Sequence, residues 1–294
     1  MQKILVTGGC GYIGSHTIID LLDNGFEVVS VDNLVNSSDA VLEAVRVITG
    51  KVVRNYPIDL CDWEKVQGLF QAEGSIQGVI HFAALKSVGE SEESPLLYYH
   101  NNLNSLLNIL RAVQDYEVPY FIFSSSCSVY GNSEDLPVRE NTPVQEAEST
   151  YASTKQMGER IIRDFMKVYP QGAAIALRYF NPAGAHESAL LGEAPTNRAS
   201  NLVPVITETA IGKRAEVVVF GDDYDTRDGS CVRDYIHIMD LASAHTKAFQ
   251  YLFGQKNTAN YEVFNLGIGA GVSVLEAIHA FEEATGAALN YRIG

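Results

Sequence analysis

The four cysteines, Cys10, Cys61, Cys127 and Cys231, form neither a CxxC pair nor a Cys/His cluster, which leaves no basis for a zinc site or a disulfide framework. Scattered thiols of this kind suit a reducing compartment. Basic charge is scarce as well: 21 Lys and Arg against 36 Asp and Glu give a formal charge of −15, and no basic run offers nucleic acid a footprint. Long apolar runs are missing too. Met1–Val6 enters a glycine turn after a few residues, too short for a secretion-signal core and far too short for a membrane span. The expected setting is the cytoplasm, with no metal, nucleic acid or membrane as partner. Internal repeats and low-complexity segments are also lacking.

What is present is 294 residues at 46% hydrophobic, enough to bury a substantial core. Strand-like runs at Lys3–Thr7, Glu27–Asp32, Lys51–Tyr56, Gly78–Phe82, Tyr120–Ser125 and Ala174–Tyr179 alternate with helix-length periodic segments. That alternation is the pattern of βαβ units and predicts an α/β fold, a Rossmann-type doubly wound parallel sheet. After Asn181-Pro182 the pattern becomes irregular, which predicts a smaller ligand-binding lobe. The expected organisation is residues 1–180 as the dinucleotide-binding domain and 181–294 as mainly the substrate lobe, with some segments returning to the first domain.

The opening strand runs into Thr7-Gly8-Gly9-Cys10-Gly11-Tyr12-Ile13-Gly14, and a periodic helix follows at once. Glycines 9, 11 and 14 satisfy G-x-G-x-x-G, which lets backbone approach a pyrophosphate at a helix N-terminus. Asp32 ends the next strand, close to the ~20-residue spacing expected of a ribose-binding carboxylate. A carboxylate there accepts from the 2′-hydroxyl of NAD and repels the 2′-phosphate of NADP, so NAD is the expected cofactor. Later strand ends add Asp59-Leu60 and Phe82-Ala83-Ala84-Leu85-Lys86. The competing reading of the glycines is an ordinary βα turn, which strand, spacing, helix and acid together disfavour.

Tyr151-Ala152-Ser153-Thr154-Lys155 places a phenol and an ammonium on one helix face. A phenol with a reference pKa near ~10 is a poor base unless positive charge stabilises phenolate, which Lys155 can supply. Such pairs are also common as surface contacts. Ser124-Ser125-Ser126, at the carboxyl end of a strand, tips the balance by offering hydroxyls to orient a substrate hydroxyl or relay its proton.

Thr7–Gly14, Asp32-Asn33-Leu34, His81–Ser91, Tyr98–Asn102, Ser124–Gly131, Tyr151–Lys155, Arg178–His186, Asn201-Leu202 and Arg233–His237 together resemble the extended short-chain dehydrogenase/reductase family, and within it the UDP-glucose 4-epimerase branch. The resemblance covers nearly the whole chain. It implies an isomerase that interconverts UDP-galactose and UDP-glucose by oxidation and re-reduction at sugar carbon four, working as a homodimer. It also implies roles: Tyr151 as base, Lys155 as the group that lowers its pKa, and Ser126 as proton shuttle. NAD would lie against Gly8, Gly11, Tyr12, Ile13, Gly14, Asp32, Asn33, Asn36, Ser37, Asp59, Leu60, Phe82, Ala83, Ala84, Lys86, Asn101, Ser124, Tyr179 and Phe180, besides Tyr151 and Lys155. The UDP-sugar would meet Lys86, Ser126, Tyr151, Asn181, Asn201, Leu202, Phe220 and Arg233. Dehydratases of the same fold carry acids before Val-Tyr-Gly; here Ser126-Cys127-Ser128 precedes Val129-Tyr130-Gly131, so elimination lacks its acid. Family chains continue past Leu289–Gly294 into an Arg-Arg-x-Gly-Asp-like segment, so Arg233 is expected to hold the diphosphate without that partner. An epimerase for N-acetylhexosamines or uronates, or an inactive NAD-binding protein, stays open as an alternative.

Overall fold

The computed structural model describes residues 1–195 and 199–294. The first part of the chain runs β1 (Lys3–Thr7), α1 (Tyr12–Asp23), β2 (Glu27–Val31), α2 (Ala40–Thr49), β3 (Arg54–Tyr56), α3 (Trp63–Glu73) and β4 (Gly78–His81). Then come α4 (Val88–Glu93), α5 (Pro95–Asp115), β5 (Tyr120–Ser126), α6 (Thr150–Val168) and β6 (Ala173–Tyr179). The remainder gives β7 (Asn181–Ala183), α7 (Leu202–Ala210), β8 (Val217–Val219), β9 (Val232–His237), α8 (Ile238–Phe253), β10 (Tyr261–Leu266), β11 (Gly271–Ser273), α9 (Val274–Thr285) and β12 (Tyr291–Ile293). The third strand begins at Arg54 rather than Lys51. Lys51 instead turns its ammonium onto the Leu22 carbonyl at the end of α1.

The main sheet has seven strands in the order β10-β6-β5-β4-β1-β2-β3, and every pairing is parallel. Parallel strands are covered on both faces, so they carry apolar residues at consecutive positions. In β1, Ile4 and Val6 join the core under α1 and α8, while Leu5 joins the opposite core under α3, α5 and α6. Chain order reverses between β1 and β4, and such a switch point opens a crevice at the carboxyl ends of the strands.

Two elements from the later chain complete this layer, β10 beside β6 and α8 against α1. The smaller lobe holds a three-stranded sheet β11-β9-β7 and the pair β12-β8. Its own core is built on Ile206, Val217, Val219, Ile278 and Leu289. Among the described residues no helix is long and apolar enough to cross a membrane.

Candidate functional site

The glycine loop closes tightly. Gly8 takes a positive φ of 68° and donates to the Val31 carbonyl at 2.7 Å, which a β-carbon would obstruct because it would sit 2.9 Å from the Ala83 nitrogen. A β-carbon at Gly14 would collide with the Gly8 carbonyl, so the helix could not start so close to the strand. Helix α1 begins after Gly11 with no side-chain cap and no acid in its first turn, and its free N–H groups, starting with those of Tyr12 and Ile13, are left for an anion. These features fit a dinucleotide pyrophosphate.

Asp32 follows β2. One carboxylate oxygen accepts from the Cys10 nitrogen at 3.1 Å and the other from the Leu34 nitrogen at 3.0 Å and the Ser37 hydroxyl at 2.7 Å. The acid therefore both shapes the loop and stands beside the glycine turn. In the same loop Asn33 accepts from the Val35 nitrogen and Asn36 is exposed. Asp59 accepts from the Cys61 nitrogen at 2.8 Å and Leu60 is buried, so both shape the turn after β3.

Phe82–Lys86 leave β4 beside the glycine loop. The Ala83 nitrogen donates to the Thr7 hydroxyl at 3.1 Å, and that hydroxyl meets His81 Nδ1 at 3.0 Å. Burial, with the Lys155 charge nearby, pushes the His81 imidazole down to about 3. Asn102, on α5 beside Asn101, fixes this segment through 2.8 and 3.0 Å bonds to the Leu85 nitrogen and carbonyl, and reaches the Thr154 hydroxyl of α6 at 3.2 Å. Sequence reasoning gave Asn102 no role of its own, because its partners lie 17 and 52 residues away.

Tyr151 and Lys155 occupy the first turns of α6, which Ser149 caps by accepting from the Ala152 nitrogen at 3.1 Å. The Lys155 ammonium is buried, donates to the Ser124 carbonyl at 2.6 Å and stands 5.8 Å from the Tyr151 ring centroid. Burial pushes the Tyr151 phenol up to about 12, with the Ser126 hydroxyl working the other way. Lys155 is pushed down to about 8 by the same burial, and Glu159 opposes that. Ser126 accepts from the Ser128 nitrogen at 3.2 Å and so starts the turn Cys127–Tyr130. Tyr179 bonds the buried His245 at 2.6 Å, while Phe180 holds the loop after β10 by donating its nitrogen to the Leu266 carbonyl.

The smaller lobe brings Asn181 at the start of β7, Asn201 and Leu202 at the start of α7, Phe220 after β8 and Arg233 in β9. The Arg233 charge pulls the Cys127 thiol pKa down against a rise caused mainly by burial, and its guanidinium donates to the Val232 carbonyl at 2.8 Å. The Asn201 amide donates to Glu193 at 2.7 Å, and Lys86 approaches the same carboxylate at 3.9 Å. Glu193 thus links the two lobes, and nothing local in the sequence marks it. Phe220 is 76% exposed, and Asn201 and Arg233 are exposed as well.

A parallel sheet with an open helix N-terminus, an acid beside the glycine loop and a Tyr–Lys pair whose ammonium is buried defines a dinucleotide-dependent enzyme of the Rossmann class. The chain belongs to the NAD dependent epimerase/dehydratase family, whose model matches residues 4–267. It is 48% identical over 292 residues to the UDP-glucose 4-epimerase of Haemophilus influenzae, covering 99% of this chain and 85% of that protein. The Bacillus subtilis UDP-glucose 4-epimerase is 47% identical over 291 residues, with 99% and 84% covered. The Bifidobacterium longum UDP-glucose 4-epimerase, solved in complex with NAD+ and UDP, superposes with a TM-score of 0.95 at 46% identity, covering 100% of this chain and 86% of that one.

Proposed function

We propose that this protein is an isomerase that interconverts UDP-galactose and UDP-glucose by transient oxidation and re-reduction at sugar carbon four, with NAD as its cofactor. The observation that carries the reading is the Tyr151–Lys155 pair on one face of α6, its ammonium buried against the carboxyl end of β5 where the parallel sheet opens its crevice. NAD, when bound, supplies a reversible acceptor for the hydride of carbon four. Asp32 takes the adenosine ribose hydroxyl and the start of α1 faces the pyrophosphate.

A phenol near 12 is too weak a base at neutral pH, and positive charge beside it is the needed correction. Lys155, at about 8, still carries that charge at pH 7. Tyr151 then takes the proton of the carbon-four hydroxyl and returns it, and Ser126 orients that hydroxyl. Asn181, Asn201, Leu202, Phe220 and Arg233 hold the UDP, so the sugar can turn while its nucleotide stays anchored. The likeness to the Haemophilus influenzae and Bacillus subtilis UDP-glucose 4-epimerases supports this reading.

We read the protein further as a cytoplasmic homodimer, supported by four free thiols and by Leu97 and Leu107 standing exposed on α5. Light scattering on the purified protein tests the assembly. For the activity, the test is turnover of UDP-galactose to UDP-glucose without added NAD, together with analysis of the dinucleotide released on denaturation. Turnover with released NAD is the expected result. Absence of turnover, or release mainly of NADP, overturns the proposal.

A further inference from the structure

A complete ion pair lies buried beside the proton-transfer pair. Glu159 sits one helical turn beyond Lys155 on α6, and Arg178 immediately precedes Tyr179 on β6. Arg178 Nε donates to Glu159 Oε1 at 2.8 Å and Nη2 to Oε2 at 2.7 Å, a bidentate arrangement. Oε1 also accepts the Ser125 hydroxyl at 2.5 Å. On its other side Arg178 Nη1 donates to the Tyr130 hydroxyl at 2.9 Å, which donates to Asn265 at 2.6 Å. One network therefore joins β5, α6, β6, β10 and the turn after Ser126. Replacing such a pair by apolar residues is often neutral or stabilising, so stability alone gives little reason for its presence.

We propose that Glu159 and Arg178 are positioning residues for the reaction: through Ser125 they fix the strand end that presents Ser124 and Ser126, and along α6 they hold Lys155 in register with Tyr151. The proposal rests on the reading of Tyr151 and Lys155 as the proton-transfer pair. The geometry supports it because Ser125, bonded to Glu159, lies between the carbonyl that Lys155 grips and Ser126, whose hydroxyl acts to lower the Tyr151 phenol pKa.

The groups facing Lys155 are His81 from β4, the Ser124 carbonyl and Phe123 ring from β5, and Tyr151 and Glu159 on its own helix. Arg178, bonded to Glu159, stands behind them on β6. His81 is neutral above about 3, so Glu159 is the negative charge among them at neutral pH. Removing that charge lowers the pH at which Lys155 loses its proton, and the unbalanced Arg178 lowers it further.

The test compares the parent protein with Glu159→Gln, Glu159→Gln/Arg178→Gln, Ser125→Ala and, as a reference for the chemistry, Tyr151→Phe. Glu159→Gln should lose at least ~10-fold in kcat with KM for UDP-galactose within ~3-fold and bound NAD retained, and its alkaline kcat limb should move down by about one pH unit. Adding Arg178→Gln should bring that limb at least halfway back. A residue that only supports the fold would lower the melting temperature and leave the limb in place. If Glu159→Gln does not accumulate, Ser125→Ala, which keeps the ion pair whole, should lower kcat about 3-fold or more at unchanged KM. Parental kcat and limb in Glu159→Gln, or parental kcat in Ser125→Ala should that be the variant read, overturn the inference provided Tyr151→Phe is inactive. An active Tyr151→Phe overturns the underlying assignment instead.

Discussion

The Tyr12 hydroxyl donates to the Gly184 carbonyl at 2.7 Å, tying the first turn of α1 to the chain just beyond β7. Gly184 has a φ of 100° and its α-carbon lies against the His237 ring, so this stretch cannot shift without moving the start of α8. Tyr12→Phe should leave bound NAD intact and weaken UDP binding about 2- to 10-fold, the scale of one lost hydrogen bond of ~0.5–1.5 kcal/mol. Calorimetric titration with UDP and dinucleotide analysis separate the two effects; loss of NAD with unchanged UDP affinity would contradict the linkage.

Tyr151→Phe removes the proposed proton acceptor and leaves the proposed nucleotide anchor alone. Its kcat should fall by ~10²–10⁴ while KM changes by less than about 3-fold. Ser126→Ala should be slowed as well, and by less, because Ser128 retains its own hydroxyl nearby. Steady-state kinetics decide, and a Tyr151→Phe variant with near-parental kcat would remove the phenol from the chemistry.

Lys155→Met should separate stability from activity. The folded pKa, about 8, lies below the ordinary 10.5, so the unfolded chain holds this proton more tightly. The resulting penalty on folding is fully present below pH 8 and fades as pH rises from 8 toward 10.5. An apolar side chain removes it, offset by the Ser124 carbonyl losing its donor. A net gain on the order of 1–2 kcal/mol at pH 7, several degrees in melting temperature, should shrink toward pH 10 while turnover is lost. Calorimetric melting curves at both pH values check the sign.

His81 and His245 are buried in neutral form, pushed down to about 3 and about 4, chiefly by burial. Their folded values lie below the unfolded one near 6.5, so their contribution is present above 6.5 and is lost as pH falls toward 4. Each should cost about 1.4 kcal/mol per pH unit across that window. Urea melts of the parent and of His245→Gln between pH 7 and 4 test this: the variant should show the shallower decline, and parallel declines would exclude His245.

The strand–glycine–helix opening and the acid at the end of β2 were legible because each part lies close to the next in sequence and follows from backbone geometry. Five of the first six strands could be placed for a related reason: a parallel sheet covered on both faces imposes apolar residues at consecutive positions, whereas the edge strand β3 is Arg54-Asn55-Tyr56 and was drawn too early, from Lys51. Tyr151 and Lys155 were readable as partners because a helix turns every 3.6 residues. The seventh strand, β10, was not, since its neighbour β6 lies some eighty residues earlier and nothing in Tyr261–Leu266 names that neighbour. The positioning side chains were equally hidden. Glu159 carried one local signal, a charge on the buried stripe of α6 shared by Ala152, Ile162 and Met166, yet the sequence could not pair it with Arg178. By itself the sequence determined the repeating unit, the glycine turn and the placing of Tyr151 and Lys155 on one helix face, all set by local dihedrals and periodicity. Only the tertiary structure decided which distant polar groups meet in the interior, because a buried donor or acceptor must find its partner through the packing of the whole sheet.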